Sequence, residues 1–289
     1  MSSLATETRI TVKEILNFSL TLIPAAMIVF KSMKIPHMKY RKYMVYSAKA
    51  ELKAEVANSH LGWLWWILDP LLFMLVYAFV SSIVFKAKED YFMAFIFVGV
   101  TTWEFFNKTL KQSVKLVTSN SQIVTKVYIP KFVFVISKMG TNAIKMAISF
   151  ALVIGMMILY RIPLSAKMFC FFPIMIVLFV VTFGMSMILM HLGVFVEDLS
   201  NVVNVGLRLV FYLSGVFYSI SNRIPEPYQS ILLKVNPVAL IMEDLRRSVL
   251  YGKMPHYFSL GLWFILGIVL SVIGIKTVYK YENSYVKVI

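Results

Sequence analysis

Ionisable side chains sit inside long apolar runs of this chain, and Asp69, Glu104, Lys145, His191 and Arg208 are the ones read at membrane depth. At membrane depth such groups mark substrate, ion or proton paths by default. Each also has an ordinary reading. Asp69 directly precedes Pro70, an arrangement that caps a helix whose first position is proline. Lys145 can snorkel along its aliphatic stem and Arg208 sits toward the inner end of its run, so both also suit interface anchoring. Glu104 reads as a group near the cytoplasmic end of its span, and His191 as a hydrogen-bonded interior histidine.

Catalytic chemistry finds little support. The histidines His37, His60, His191 and His256 lack nearby partners at a recognised spacing, and no acidic pair sits in a large loop. No Gly-x-x-x-x-Gly-Lys-Ser/Thr loop occurs, so the chain is not expected to bind and split ATP. One cysteine, Cys170 in an apolar run, excludes an internal disulfide and a thiolate metal cluster. A secondary transporter is disfavoured by the absence of a visible inverted repeat.

The elements that must position these groups are membrane helices. With 59% hydrophobic residues in 289 positions and several apolar runs near bilayer length, the chain reads as an all-α polytopic membrane protein. The net charge of +15 would suggest nucleic acid in a soluble protein, but the basic residues cluster at particular loops. Membrane topology explains them, and no nucleic-acid partner is expected.

Six spans are predicted, at about 61–85, 91–107, 132–160, 168–196, 201–221 and 258–279. The first opens on Trp63, Trp65 and Trp66, whose rings suit the interface. Nine Lys and Arg precede Leu61, and Lys108, Lys111, Lys115, Lys126 and Lys131 follow the second span. The positive-inside rule puts both regions, and both termini, in the cytoplasm.

Before the first span, residues 1–60 form a cytoplasmic N-terminal region, followed by a transmembrane domain over 61–289. Met1 to Thr8 has no basic leader, so a cleaved signal peptide is not expected. Ile15 to Phe30 is short for a span and interrupted by Pro24, and reads as an interfacial helix rather than a seventh span. From Lys39 to Val56, Tyr40, Met44, Ala48, Leu52 and Val56 recur every four residues while Lys42, Lys49, Lys53 and Glu55 point elsewhere. That spacing predicts an amphipathic helix along the membrane surface, facing anionic lipids or a partner. Between the fifth and sixth spans, the short runs Tyr228 to Val235 and Val238 to Tyr251 predict two helices in a re-entrant hairpin. Arg246 and Arg247 on it read as headgroup anchors.

Several local motifs, in order, resemble the transmembrane subunit of ABC-2 type exporters of polysaccharide, O antigen or teichoic acid. They are Ser59-His60-Leu61-Gly62 with Trp65 and Pro70, then Trp103-Glu104-Phe105-Phe106, then Asn120 to Pro130. Ser214-Gly215-Val216-Phe217-Tyr218 and Asn236-Pro237 with Arg246 and Gly252 complete the set. Two positions depart from the family's pattern: Glu55-Val56 stands where an Arg-Tyr pair is frequent, and Glu197-Asp198 where Arg-Asp is frequent in the second cytoplasmic loop. Both lower positive charge on the face expected to meet the ATPase.

The resemblance implies a permease in a bacterial cytoplasmic membrane, paired with a second copy of itself and with an ATPase subunit that holds ATP and magnesium. No cofactor is implied for this chain. Coupling to the ATPase then needs a cytoplasmic feature, and Ser119 to Tyr128 is the expected one. Ile123, Val127 and nearby Val124 form a small apolar face there, flanked by Asn120, Gln122 and Lys126 and followed by Tyr128. The implied cargo is a lipid diphosphate-linked glycan. Its pyrophosphate would prefer Arg208 or Lys145, and Asp69 also belongs to the candidate path. Sugars would meet the aromatic faces of Phe73, Tyr77, Tyr212 and Tyr218. The first and fifth spans are expected at the shared dimer interface. A drug or antibiotic exporter of the same architecture is the alternative.

Overall fold

The computed structural model describes residues 37–57, 59–83, 89–163 and 165–288. The expectations for Met1 to Thr8 and for Ile15 to Phe30 fall outside the described residues. Every regular element among them is helical. The longer helices are α1 (His37–Ala57), α2 (Trp65–Ile83), α3 (Phe92–Val114), a short α4 (Ser121–Lys126), α5 (Phe132–Leu159), α6 (Phe171–Phe195) and α7 (Leu199–Leu213). Then come α8 (Ile220–Arg223), α9 (Tyr228–Val235), α10 (Pro237–Leu245) and α11 (Tyr257–Val288).

Among the described residues, four stretches are long and apolar enough to cross a bilayer: Gly62–Val80, Phe132–Leu159, Ala166–Phe195 and Tyr257–Val288. They correspond to the first, third, fourth and sixth expected spans, and the last continues well past residue 279. The second expected span is a longer and more polar helix, α3, which runs on to Val114 through Glu104, Lys108 and Lys111. It tolerates those groups because it is the centre of the bundle, with α2, α5, α6, α7 and α10 packed around it and Ala94 to Trp103 buried. A helix shielded by protein need not be apolar all round.

The fifth expected span stops at Leu213 rather than near residue 221. Ser214 bonds back to the Val210 carbonyl at 2.6 Å, and Gly215 takes the left-handed conformation at φ 66, which ends the helix. The two predicted hairpin helices are present, Tyr228–Val235 and Pro237–Leu245, the second followed by a wide turn over Arg246–Leu250. Asn236 starts the second one, its Oδ1 accepting from Val238 and Ala239 N–H at 3.1 and 3.2 Å with Pro237 in the first turn.

Two close helix contacts set the frame. On α6, a methyl at Gly184 would come within 2.9 Å of the Gly267 carbonyl of α11, so the two backbones approach where small residues allow it. At the other end of α6, a methyl at Gly193 would meet the Val114 carbonyl at 1.9 Å. That contact puts the end of α3, and the loop that follows it, beside the α6–α7 turn.

The predicted stripe of α1 is the face it packs with: Ala48 and Leu52 are buried, and Tyr40, Met44 and Val56 half-buried. The surface it covers is α5, a protein face rather than a lipid one. Lys42, Lys49 and Lys53 are exposed, as expected.

Candidate functional site

At the end of the bundle marked by the Val114–Gly193 contact, Thr118–Asn120 forms a 3-10 turn that leads into α4. The Asn120 side chain donates to the Leu116 carbonyl at 2.7 Å and fixes the turn. Val124 is buried and pins α4 to the bundle, so the outward apolar face is Ile123, Val127 and Tyr128 rather than the trio expected with Val124. Ile123 is 36% exposed, Val127 54% and Tyr128 62%, with Gln122 and Lys126 exposed beside them. Tyr128 donates to Glu282 Oε1 of α11 at 3.0 Å. Desolvation of its hydroxyl, with that carboxylate next to it, pushes its pKa up to about 12. Glu197 and Asp198 lie exposed in the α6–α7 turn at the same end.

A charged cavity of about 330 Å³ opens between α1, α2, α3 and α5. Lys108 lies 3.5 Å from Asp69 and 2.6 Å from Glu104, while Lys145 meets both carboxylate oxygens of Glu55 at 2.6 and 2.5 Å. Lys138 pairs with Glu51 one turn away, and Thr141 donates to the same carboxylate at 3.3 Å. Asn142 donates to Thr109 and Gln112 at 3.0 and 2.9 Å across the α3–α5 contact.

Three expectations change here. Asp69 does not cap a helix: α2 begins at Trp65, Pro70 lies inside it, and the Asp69 carboxylate faces Lys108. Lys145 is not a lone anchor: its ammonium pairs with Glu55 of α1. Glu55 therefore answers a lysine of its own chain. Glu104 is near the middle of the extended α3, not its end.

The expected aromatics of the first and fifth spans gather on one side. Tyr77 stacks on Phe73 at 5.8 Å and meets Phe217 at 4.6 Å and Phe211 at 6.2 Å. Tyr218 donates to the Tyr212 carbonyl at 3.0 Å. Trp103, 5.1 Å from Phe211, joins them from α3. Trp103 and Phe217 stand in the sequence motifs without a role in the path, and Phe211 is not among the residues that the sequence singles out, although it falls three residues after Arg208 on the same helix. Arg208 is exposed and lines a cavity of about 160 Å³ with Tyr77, Trp103, Glu104, Lys111 and Phe211. It forms no ion pair with a described residue. The structure thus joins Arg208 to the aromatic group and separates it from Lys145, which lines the charged cavity.

Arg246 is not a headgroup anchor. It is 1% exposed and spends its guanidinium on three carbonyls: Nε on Phe95, Nη1 on Gly215 and Nη2 on Val216, at 3.1, 2.8 and 2.9 Å. Arg247 donates instead to the Met254 carbonyl at 3.1 Å. His191 is hydrogen-bonded as expected, 2.7 Å from the Tyr285 hydroxyl.

A family model described as "ABC-2 type transporter" matches residues 44–250. Among curated relatives, the "O-antigen export system permease protein RfbA" of Klebsiella pneumoniae is 26% identical over 247 residues, 85% of this chain and 94% of that protein. A protein of the same description from Myxococcus xanthus is 27% identical over 217 residues, 75% of this chain and 84% of that protein.

Proposed function

The chain belongs to the ABC-2 type transporter family, and from that premise we propose that it is the permease of an exporter carrying a lipid-linked polysaccharide or teichoic acid across a bacterial cytoplasmic membrane. It is a multi-pass membrane protein and the permease of an ABC polysaccharide exporter. The observation that carries this reading is similarity to O-antigen export permeases along nearly their whole length. The finer points that follow extend it.

A separate ATPase subunit, holding ATP and magnesium, supplies the energy, and α4 is the part of this chain that receives its movement. Exposure of Ile123, Val127 and Tyr128, buried anchoring by Val124 and the Tyr128–Glu282 bond support that role. A small apolar face held by one buried residue and tied to a long helix can seat in a groove and transmit a push. Glu197 and Asp198 offer a second contact at the same end.

Six spans, including the polar α3 and the short α7, put both termini in the cytoplasm, with α9 and α10 as a re-entrant hairpin on the outer side. Two copies form the conduit. The outward faces of α2 and α7, with Leu72, Val76 and Phe79 on one and Val205, Leu209 and Tyr212 on the other, support a shared interface there. Arg208 meets the phosphates of the cargo, and Phe73, Tyr77, Tyr212 and Tyr218 meet its sugars, because guanidinium complements phosphate oxygens and aromatic faces suit sugar rings. Asp69 and Lys145, both already paired, shape the path through the charged cavity. The direct test is reconstitution with the ATPase in proteoliposomes, following ATP-dependent movement of lipid-linked glycan from one leaflet to the other.

A further inference from the structure

A groove of about 490 Å³ lies between α5, the turn Ala166–Cys170 that opens α6, and Val249 after α10. Its walls are apolar, and Ile154, Phe169 and Phe172 stand 58%, 65% and 63% exposed along it. Ser165 supplies a polar rim. At a rise of about 1.5 Å per residue, the 28 residues of α5 separate this groove from the α4 end of the bundle by the full depth of a bilayer.

The connection beside the groove carries Arg161 and Lys167, and residues 160–170 include no acid. That is the reverse of what the positive-inside rule asks of an outer loop. Neither cation forms an ion pair with a described residue. Arg161 closes the end of α5 at φ 50, a left-handed position where glycine is the unstrained choice. Its neighbour Ile162 donates to the carbonyl of Met157, a groove residue, at 3.0 Å. The turn that carries Arg161 is thereby tied through its backbone to the groove wall, at a conformational cost.

We infer that this groove holds an acyl chain of an anionic phospholipid, whose phosphate-bearing headgroup is met by Arg161 and Lys167. An apolar groove whose adjoining connection carries two cations and no acid complements a ligand with an apolar tail and an anionic head. A peptide stretch such as Ile15 to Phe30, which contains no acid, would leave both cations unanswered.

Native mass spectrometry of the full-length chain, offered phosphatidylglycerol or phosphatidylcholine with identical acyl chains, tests it. Phosphatidylglycerol should be retained in preference, and Arg161→Gln and Lys167→Gln should each cut that preference about fivefold. Arg161→Lys should keep it. Ile154→Trp, at an exposed position, fills the groove and should reduce retention of both lipids. Equal retention of the two lipids, or a preference that survives the paired glutamine substitutions, overturns the assignment. So does retention unaffected by Ile154→Trp, or a gain of bound lipid when residues 1–36 are deleted, which would make that stretch the occupant.

Discussion

Arg246 donates from Nη1 to the carbonyl of Gly215 at 2.8 Å, across the break that ends α7. With Val216 and Phe95 also served and the Phe95 ring 3.6 Å from the guanidinium carbon, one side chain ties α3, the break and α10 together. Buried carbonyls left without a donor cost about 1–3 kcal/mol each. Arg246→Gln should therefore destabilise the protein by at least about 3 kcal/mol, and Arg246→Lys should recover less than half, since an ammonium lacks the planar fork. Gly99→Ala should produce the same lesion, because its methyl would stand 2.3 Å from Nη2. Thermal unfolding of the purified variants measures both, and the Arg246→Gln/Gly99→Ala pair should be markedly less than additive.

The Glu55–Lys145 pair gives a second expectation. Both side chains are partly exposed, 36% and 22%, so the pair is worth only about 1 kcal/mol. Lys145→Glu should loosen α1 from α5, raising proteolysis near Ala57. Adding Glu55→Lys should restore protection, and a double-mutant cycle read by limited proteolysis checks the coupling.

Much of this was legible in the sequence, and the failures share a cause. The stripe Tyr40 to Val56 is periodic, and periodicity shows which face is buried but not what buries it, whereas the hairpin runs are legible only as short apolar runs. Hence the stripe of α1 predicts a covered face, with lipid and a partner both open, and the surface that covers it is α5. Apolar length found the four self-sufficient spans and misjudged α3 and α7, whose boundaries depend on neighbours: the bundle that shelters Glu104 and Lys108, and the arginine 31 residues beyond Gly215 that answers its carbonyl. Pairings such as Asp69–Lys108 and Glu55–Lys145 join distant positions, and no local spacing encodes them. The reading of Asp69 as a cap followed local proline logic that the preceding turn, Gly62–Leu64, had already overridden by starting the helix earlier.

For the coupling role, Ile123→Asp should leave the protein in the membrane at normal abundance and abolish transport-stimulated ATP hydrolysis by the partner subunit. The position is 36% exposed, so the charge costs little folding energy while spoiling an apolar contact. Unchanged stimulation would remove α4 from that role. Val124→Asp, at a buried site, should instead lower abundance.

For the anion role, Arg208→Gln should reduce cargo-stimulated ATPase activity about tenfold, the loss of one charge-assisted contact of about 1.5 kcal/mol. Normal stimulation would contradict it. Because Arg208 is exposed and has no described ion-pair partner, thermal stability should stay within about 0.5 kcal/mol of the unsubstituted chain.

The most direct measurement depletes this chain in its host and quantifies lipid-linked glycan on each face of the cytoplasmic membrane. Accumulation on the inner face with loss of surface polymer is the expected result, and it would identify the cargo. Unchanged glycan on both faces would contradict glycan export and point to a drug or antibiotic as the exported molecule.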